Sequence, residues 1–125
     1  MSDDVVTPET LAERVARGVA FLEMTMPDWR EHIDVSTLDM GSTDLCVLGQ
    51  LAPRWPGLTD TGYVNYTDVK YTLRWDANNV RAHGFERAVV QDGADGWIAG
   101  YAEDYGDLTA EWRRVLTGTG ARPVL

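Results

Sequence analysis

The sequence PDWREHIDVSTLDMGSTDLCVLGQL, residues 27–51, alternates single acidic residues with apolar residues of the kind that form a core. Trp29 and Ile33 lie four residues apart, and this spacing places both on the inner side of one helical turn over 28–33. Cys46, the one cysteine of the chain, lies in its most apolar part. The pattern predicts a compact helical scaffold, and it contains no recognisable catalytic signature.

The second half of this stretch predicts two short elements. Ser36 is a candidate cap for a turn over 36–40, and Ser42 or Thr43 can cap a short helix that ends at Leu51. The apolar residues of this helix are Leu45, Cys46, Val47, Leu48 and Leu51. They leave little polar surface, so we expect the helix to lie deep in the core.

A longer helix precedes the stretch. Thr7 is expected to cap it, Pro8 suits its first position, and Pro27 ends it, which predicts a helix over 8–26. Its apolar residues recur at steps of three and four: Leu11, Val15, Val19, Leu22 and Met26. Gly18 costs about 1 kcal/mol relative to alanine in a helix, which indicates a close-packed neighbour or a tolerated defect.

The rest of the chain predicts a loop over 52–65, a helix from Thr67, and a shorter helix capped by Asp76 that runs to Ala82. Gly84 then has the position of a C-cap glycine.

Residues 87–101 allow a β-hairpin or a loop around Trp97. A last helix is expected to be capped by Asp107 and to end at Gly118. The fold class predicted is therefore mainly α: a compact single-domain bundle of four to five helices over 1–125, with residues 1–6 and 118–125 as loose termini.

The chain carries 20 acidic and 11 basic residues, a net charge of −9. This charge repels nucleic acid and anionic membranes, so direct binding to either is not expected. It serves solubility, or it forms an acidic surface for a basic partner. A single cysteine, no signal peptide and no membrane-spanning apolar run predict a cytoplasmic protein.

Candidate catalytic and metal sites are weak. Cys46, His32 and His83 lack the close spacing of zinc ligands, and burial would raise the pKa of the Cys46 thiol and make it inert. The segment 92–96 suits a tight turn better than a calcium loop. No catalytic residue, metal or cofactor is predicted.

The aromatic loop is the one candidate site. Trp55, Tyr63 and Tyr66, beside Asp60, have the composition of a partner-binding surface. The alternative is that the three aromatic residues cover the core.

Several short motifs resemble a group of small, uncharacterised proteins of actinobacteria and their phages. They are Arg17-Gly18, Phe21-Leu22, Pro27-x-Trp29, Ile33-Asp34, Leu38-Asp39, Cys46-x-Leu48-Gly49-Gln50-Leu51, His83-Gly84-Phe85 and Tyr105-x-x-Leu108-Thr109-x-x-Trp112. Members of the group often carry a second cysteine where this chain has Thr43 and Asp44, which argues against a redox or metal role here. The resemblance implies a phage or prophage origin and no particular activity.

These observations favour a non-enzymatic, phage-derived accessory protein that binds a host protein through an acidic surface bearing aromatic residues. Two alternatives stay open: an acidic mimic of nucleic acid that blocks a nucleic-acid-binding protein, and a small enzyme with an unrecognised site.

Overall fold

The computed structural model describes residues 10–92 and 97–118, and this part of the chain is mainly helical with one small β-hairpin. The elements are α1 (Leu11–Thr25), α2 (Val47–Leu51), α3 (Tyr66–Leu73), α4 (Ala77–Ala82), β1 (Val89–Asp92), β2 (Trp97–Tyr101) and α5 (Tyr105–Thr117). Short 3-10 helices cover Trp29–His32, Val35–Thr37 and Ala52–Arg54. The predicted helical fold class is confirmed, and of the two interpretations of residues 87–101 the hairpin is correct, because β1 and β2 pair with each other.

Helix α1 begins with a capping box. The Thr10 hydroxyl accepts from Glu13 N, and the Glu13 carboxylate accepts from Thr10 N at 2.8 Å. The predicted cap, Thr7, lies outside the described residues. Met26 N–H closes the other end on Leu22 O at 2.8 Å, so the predicted end of the helix is confirmed to within a residue.

Gly18 is required by close packing. A Cβ built on it would lie 2.1 Å from the His83 carbonyl oxygen and 3.2 Å from the Trp112 ring. Of the two explanations for this glycine, the close-packed neighbour is therefore correct.

Residues 27–51 fold differently from the prediction in two places. Asp34, and not Ser36, caps the 3-10 helix at Val35–Thr37. Ser42 accepts from the backbone of Asp44 and Leu45 and so shapes a turn, while α2 begins only at Val47. Its cap is the Cys46 Sγ, which accepts from Gly49 N at 3.3 Å.

The predicted glycine cap of α4 is confirmed. Gly84 has φ +72°, and Phe85 N–H folds back onto Val80 O at 2.9 Å. The Gly84 carbonyl then accepts from Trp112 Nε1 at 2.7 Å, which joins α4 to α5.

Helix α5 begins one turn earlier than predicted. Asp104, rather than Asp107, is the N-cap, and Asp107 is its reciprocal partner in a capping box. Gly118, with φ +72°, ends the helix as predicted. The predicted loose ends, 1–6 and the tail after 118, lie outside the described residues.

The hairpin is antiparallel, with Val89 opposite Tyr101 and a bulge between Val90 and Gln91. Beyond β2, the Glu103 carboxylate accepts from Ala88 N at 2.9 Å and from the buried Arg14 Nη2 at 2.7 Å. A buried ion pair therefore ties the base of the hairpin to α1.

Candidate functional site

The four residues predicted to bind a partner lie in three different places. Trp55 is 2% exposed and packs near Phe21, with their ring centroids 6.2 Å apart. It belongs to the core, so its assignment to a partner-binding surface is wrong. Tyr66 is half-buried against a cavity near Cys46, whereas Asp60 and Tyr63 are exposed.

Tyr63 is the most exposed aromatic residue of this loop, at 75%, and its orientation is fixed. Its hydroxyl donates a short hydrogen bond to the Asp44 carboxylate and accepts from Asn65 Nδ2 at 3.4 Å. The hydrogen bond to Asp44 is the main cause of a raised Tyr63 pKa. The polar contacts of the hydroxyl thus hold the exposed ring in one orientation.

A groove of about 360 Å³ lies beside this ring. We call it the Tyr63 groove; its lining includes His32, Asp44, Leu45, Gln50, Pro53 and Tyr63. Leu45, expected to be buried, is 40% exposed, because the chain turns at 42–46 instead of forming a helix there. An apolar side chain and an acidic one therefore stand next to Tyr63.

A second groove, of about 390 Å³, adjoins the first. The two share His32 and Pro53, and the second extends to Asp28 and Arg54. His32 Nε2 lies 3.2 Å from an Asp28 carboxylate oxygen. The second groove also reaches Thr59, next to Asp60.

The floor of the Tyr63 groove is held by one side chain. Gln50 Oε1 accepts from Asp34 N at 2.6 Å, and its Nε2 donates to Leu45 O at 2.9 Å and to Asp34 O at 3.2 Å. Because this amide bridges two loop segments, the groove is preorganised.

The acidic residues between Glu13 and Asp60 are all exposed, as the sequence predicts. Several serve their own loops: Asp39 accepts from Gly41 N, and Asp34 accepts from Ser36, whose side-chain hydrogen bond lowers the Asp34 pKa. Such local roles account for the positions of these two residues.

The Cys46 thiol is buried, and burial raises its pKa to about 12. The predicted place of Cys46 in the core is confirmed. The His83 ring stacks on Trp75 with the ring centroids 4.4 Å apart. Its Nδ1 lies 2.8 Å from Asn79 O. Within the described ranges, no three His, Cys, Asp or Glu side chains gather as metal ligands would, and no helix is long and apolar enough to cross a membrane.

Comparisons with protein-family models, curated proteins and solved structures find no match to this chain. A function must therefore be inferred from the geometry of the surface.

Sequence reasoning missed Leu45 as a surface residue, because the predicted short helix that ends at Leu51 places it in the core. The available signal was Ser42, whose hydroxyl suits a turn as well as a helix cap.

Proposed function

We propose that this chain is a non-enzymatic, phage-derived accessory protein that acts in the cytoplasm by binding a basic host protein through the Tyr63 groove. The observation that carries the proposal is the adjacent exposure of Tyr63 and Leu45 beside the Asp44 carboxylate. Exposed apolar side chains next to a concave surface are typical of protein interfaces.

The three side chains supply different parts of the binding energy. The Tyr63 ring and Leu45 offer apolar area to be buried, and a central tyrosine is a common hot-spot residue. Asp44, with the net charge of −9, steers a basic partner and favours one orientation. Since Tyr63 is already held by Asp44 and Asn65, binding loses little of its rotational freedom.

The chain offers a matched control for this surface. Tyr71, on α3, is 72% exposed, close to the 75% of Tyr63, and it lines none of the grooves described above. Replacing either tyrosine removes a similarly exposed side chain, so a difference between the variants reports on the Tyr63 groove, including the Tyr63 contacts to Asp44 and Asn65, rather than on the loss of any exposed tyrosine.

Affinity capture from an actinobacterial host lysate tests the proposal. The tagged chain is expected to retain a partner that Tyr71→Ala also retains and that Tyr63→Ala loses, with affinity reduced by roughly thirtyfold or more, since a hot-spot residue contributes about 2 kcal/mol. Retention should weaken as salt is raised, because the contact is steered by carboxylates. Equal retention by the two variants would contradict the proposed surface.

The two alternatives give different results in the same experiment. A mimic of nucleic acid would capture a nucleic-acid-binding protein that added DNA releases, and its capture would depend on many acids rather than on Tyr63. An enzyme would show no retained partner. Neither outcome is expected.

A further inference from the structure

A tyrosine and a carboxylate away from the Tyr63 groove form a complete site for an arginine within the chain itself. The Tyr105 hydroxyl is hydrogen-bonded to the Glu86 carboxylate. The Arg87 guanidinium lies over the Tyr105 ring, 3.9 Å from the ring centroid, and its Nε lies 3.9 Å from a Glu86 carboxylate oxygen. One arginine therefore covers the face of the ring and pairs with the carboxylate bonded to its hydroxyl.

Tyr63 and Asp44 form the same kind of pair without the arginine. The Tyr63 hydroxyl donates to one oxygen of the Asp44 carboxylate. Among the described residues, every cation that lies over an aromatic ring covers a ring other than Tyr63, and every ion pair uses a carboxylate other than Asp44. The face of the Tyr63 ring and the second Asp44 oxygen are therefore open to a group from outside.

The charge around Tyr63 is negative. The hydrogen bond to Asp44 is the main cause of the raised pKa of Tyr63, and the charges of Asp44 and Asp68 act in the same direction. At Tyr105, by contrast, the charge of Arg87 opposes that of Glu86. The pair at Tyr63 thus has the charge that complements a cation of a partner.

The geometry favours a guanidinium over an ammonium. A guanidinium is planar, so it can lie flat on an aromatic ring while its N–H groups donate in its own plane to a carboxylate. Within this chain, Arg87 approaches the centroids of two tyrosine rings to 3.6 and 3.9 Å, whereas the Lys70 Nζ stays 5.8 Å from the centroid of the Tyr66 ring.

The Tyr63 groove has room for the rest of an arginine side chain. Its volume of about 360 Å³ lies within the range of about 300–1,000 Å³ that is typical of ligand pockets. Leu45 and Pro53 line it and offer apolar surface. An arginine buries its methylene groups along such a surface while its charged end stays with polar groups.

We infer that the Tyr63 groove recognises an arginine side chain of the partner, whose guanidinium lies on the Tyr63 ring and donates to the Asp44 carboxylate. This inference rests on the function proposed above and names the group that the partner must present. Stacking on the ring and pairing with the carboxylate act on the same guanidinium, so the removal of either should weaken binding.

Three peptides that differ at one position test the choice of side chain. They are acetylated and amidated heptapeptides of glycine and serine with arginine, lysine or citrulline, the neutral isostere of arginine, at the centre. The amide NMR signals of Leu45, Gly49 and Gly62 report binding.

We expect saturable shifts with the arginine peptide, with a dissociation constant on the order of 1 mM. Binding should be about threefold weaker with lysine and roughly tenfold weaker or more with citrulline. No saturable shift with the arginine peptide, or equal affinity for either of the other two peptides, would overturn the inference.

Two pairs of variants assign the contacts. Asp44→Asn keeps the shape of the side chain and should weaken binding of the arginine peptide roughly tenfold or more, whereas Glu31→Gln removes an exposed charge that lines neither groove and should leave it unchanged. Tyr63→Ala should abolish the preference for arginine over lysine, and Tyr71→Ala should keep it. Equal affinity in Asp44→Asn and Glu31→Gln, or an arginine preference that persists in Tyr63→Ala, would overturn the inference.

The peptide titrations and the lysate capture can fail separately. If Tyr63→Ala loses the captured partner while the arginine and citrulline peptides bind equally, the groove is the interface and the inference about arginine alone is wrong. If both tyrosine variants retain the partner equally while the arginine peptide binds best, the proposed function is wrong and the arginine site is supported.

Discussion

The region where α1 and α5 meet Gly84 and the region around the Tyr63 groove use large side chains in opposite ways. In the first, Trp112 is fully buried, its Nε1 is bonded to the Gly84 carbonyl, and Gly18 leaves no room for a single methyl group. In the second, Tyr63 is 75% exposed beside a groove of about 360 Å³. Packing explains the residues of the first region, whereas the Tyr63 ring lies outside the core and is held by polar contacts of its hydroxyl.

The largest expected effect concerns Cys46, a core group close to both regions. Its pKa is raised from 9.0 to about 12, so near neutral pH the thiolate fraction is roughly 1,000-fold below that of a free thiol. Iodoacetamide should therefore label the folded chain at least 1,000-fold more slowly than the chain in urea. Equal labelling rates, measured by mass spectrometry, would contradict a buried thiol.

The same pKa shift gives a pH dependence with a definite sign. The unfolded chain releases the thiol proton near pH 9.0, while the folded chain keeps it until about pH 12. The Cys46 contribution to stability is thus fully present below pH 9 and is lost as the pH rises towards 12. Urea unfolding of Cys46→Ser beside the wild type across this range measures the difference.

Trp112→Ala should destabilise the fold by about 3–5 kcal/mol, because it leaves a cavity and removes the hydrogen bond to Gly84. Trp75→Ala is a suitable control, since Trp75 is only half-buried and its loss should cost less. Urea unfolding gives both values. Similar losses would mean that the first region is not the centre of the core.

The sign of the change in stability in Gly18→Ala tests the close contact between Gly18 and the His83 carbonyl oxygen. In an isolated helix the change stabilises by about 1 kcal/mol, but here the new Cβ would lie 2.1 Å from the His83 oxygen, so we expect a destabilisation of about 1–3 kcal/mol. A rise in the midpoint of thermal unfolding would show that α1 and the α4 end are less closely packed.

Tyr63→Ala and Tyr71→Ala should each change stability by no more than about 0.5 kcal/mol, because both side chains are largely in water. Thermal unfolding checks this. A large loss of stability in Tyr63→Ala, but not in Tyr71→Ala, would indicate that Tyr63 has a structural role and would argue against the proposed function.

The sequence predicted those elements whose signals are local. Asp76 caps α4 through its own side chain, and Gly84 and Gly118 adopt the positive φ that a C-cap requires. At α5 the local signal was ambiguous, since Asp104 and Asp107 are both suited to capping, and the structure uses them as a reciprocal pair.

The errors arose where distant contacts decide. Trp55 has a loop sequence around it, and its burial depends on Phe21 of α1, 34 positions earlier in the chain. A nearer contact also matters: a Cβ on Gly49 would lie 2.2 Å from Thr43 O, so the turn at 42–46 packs directly against α2. Because that turn exposes Leu45, the candidate site was only partly predictable.

The buried pair between Arg14 and Glu103 also bears on cooperativity. Glu103 bonds at once to α1 and to Ala88, at the entry to β1, while the two strands otherwise contact chiefly each other. Local fraying of the hairpin that breaks the ion pair between Arg14 and Glu103 would leave a buried guanidinium without its counter-ion, at a cost of several kcal/mol. Hydrogen exchange at Ala88, at the base of the hairpin, should therefore follow the global opening of α1.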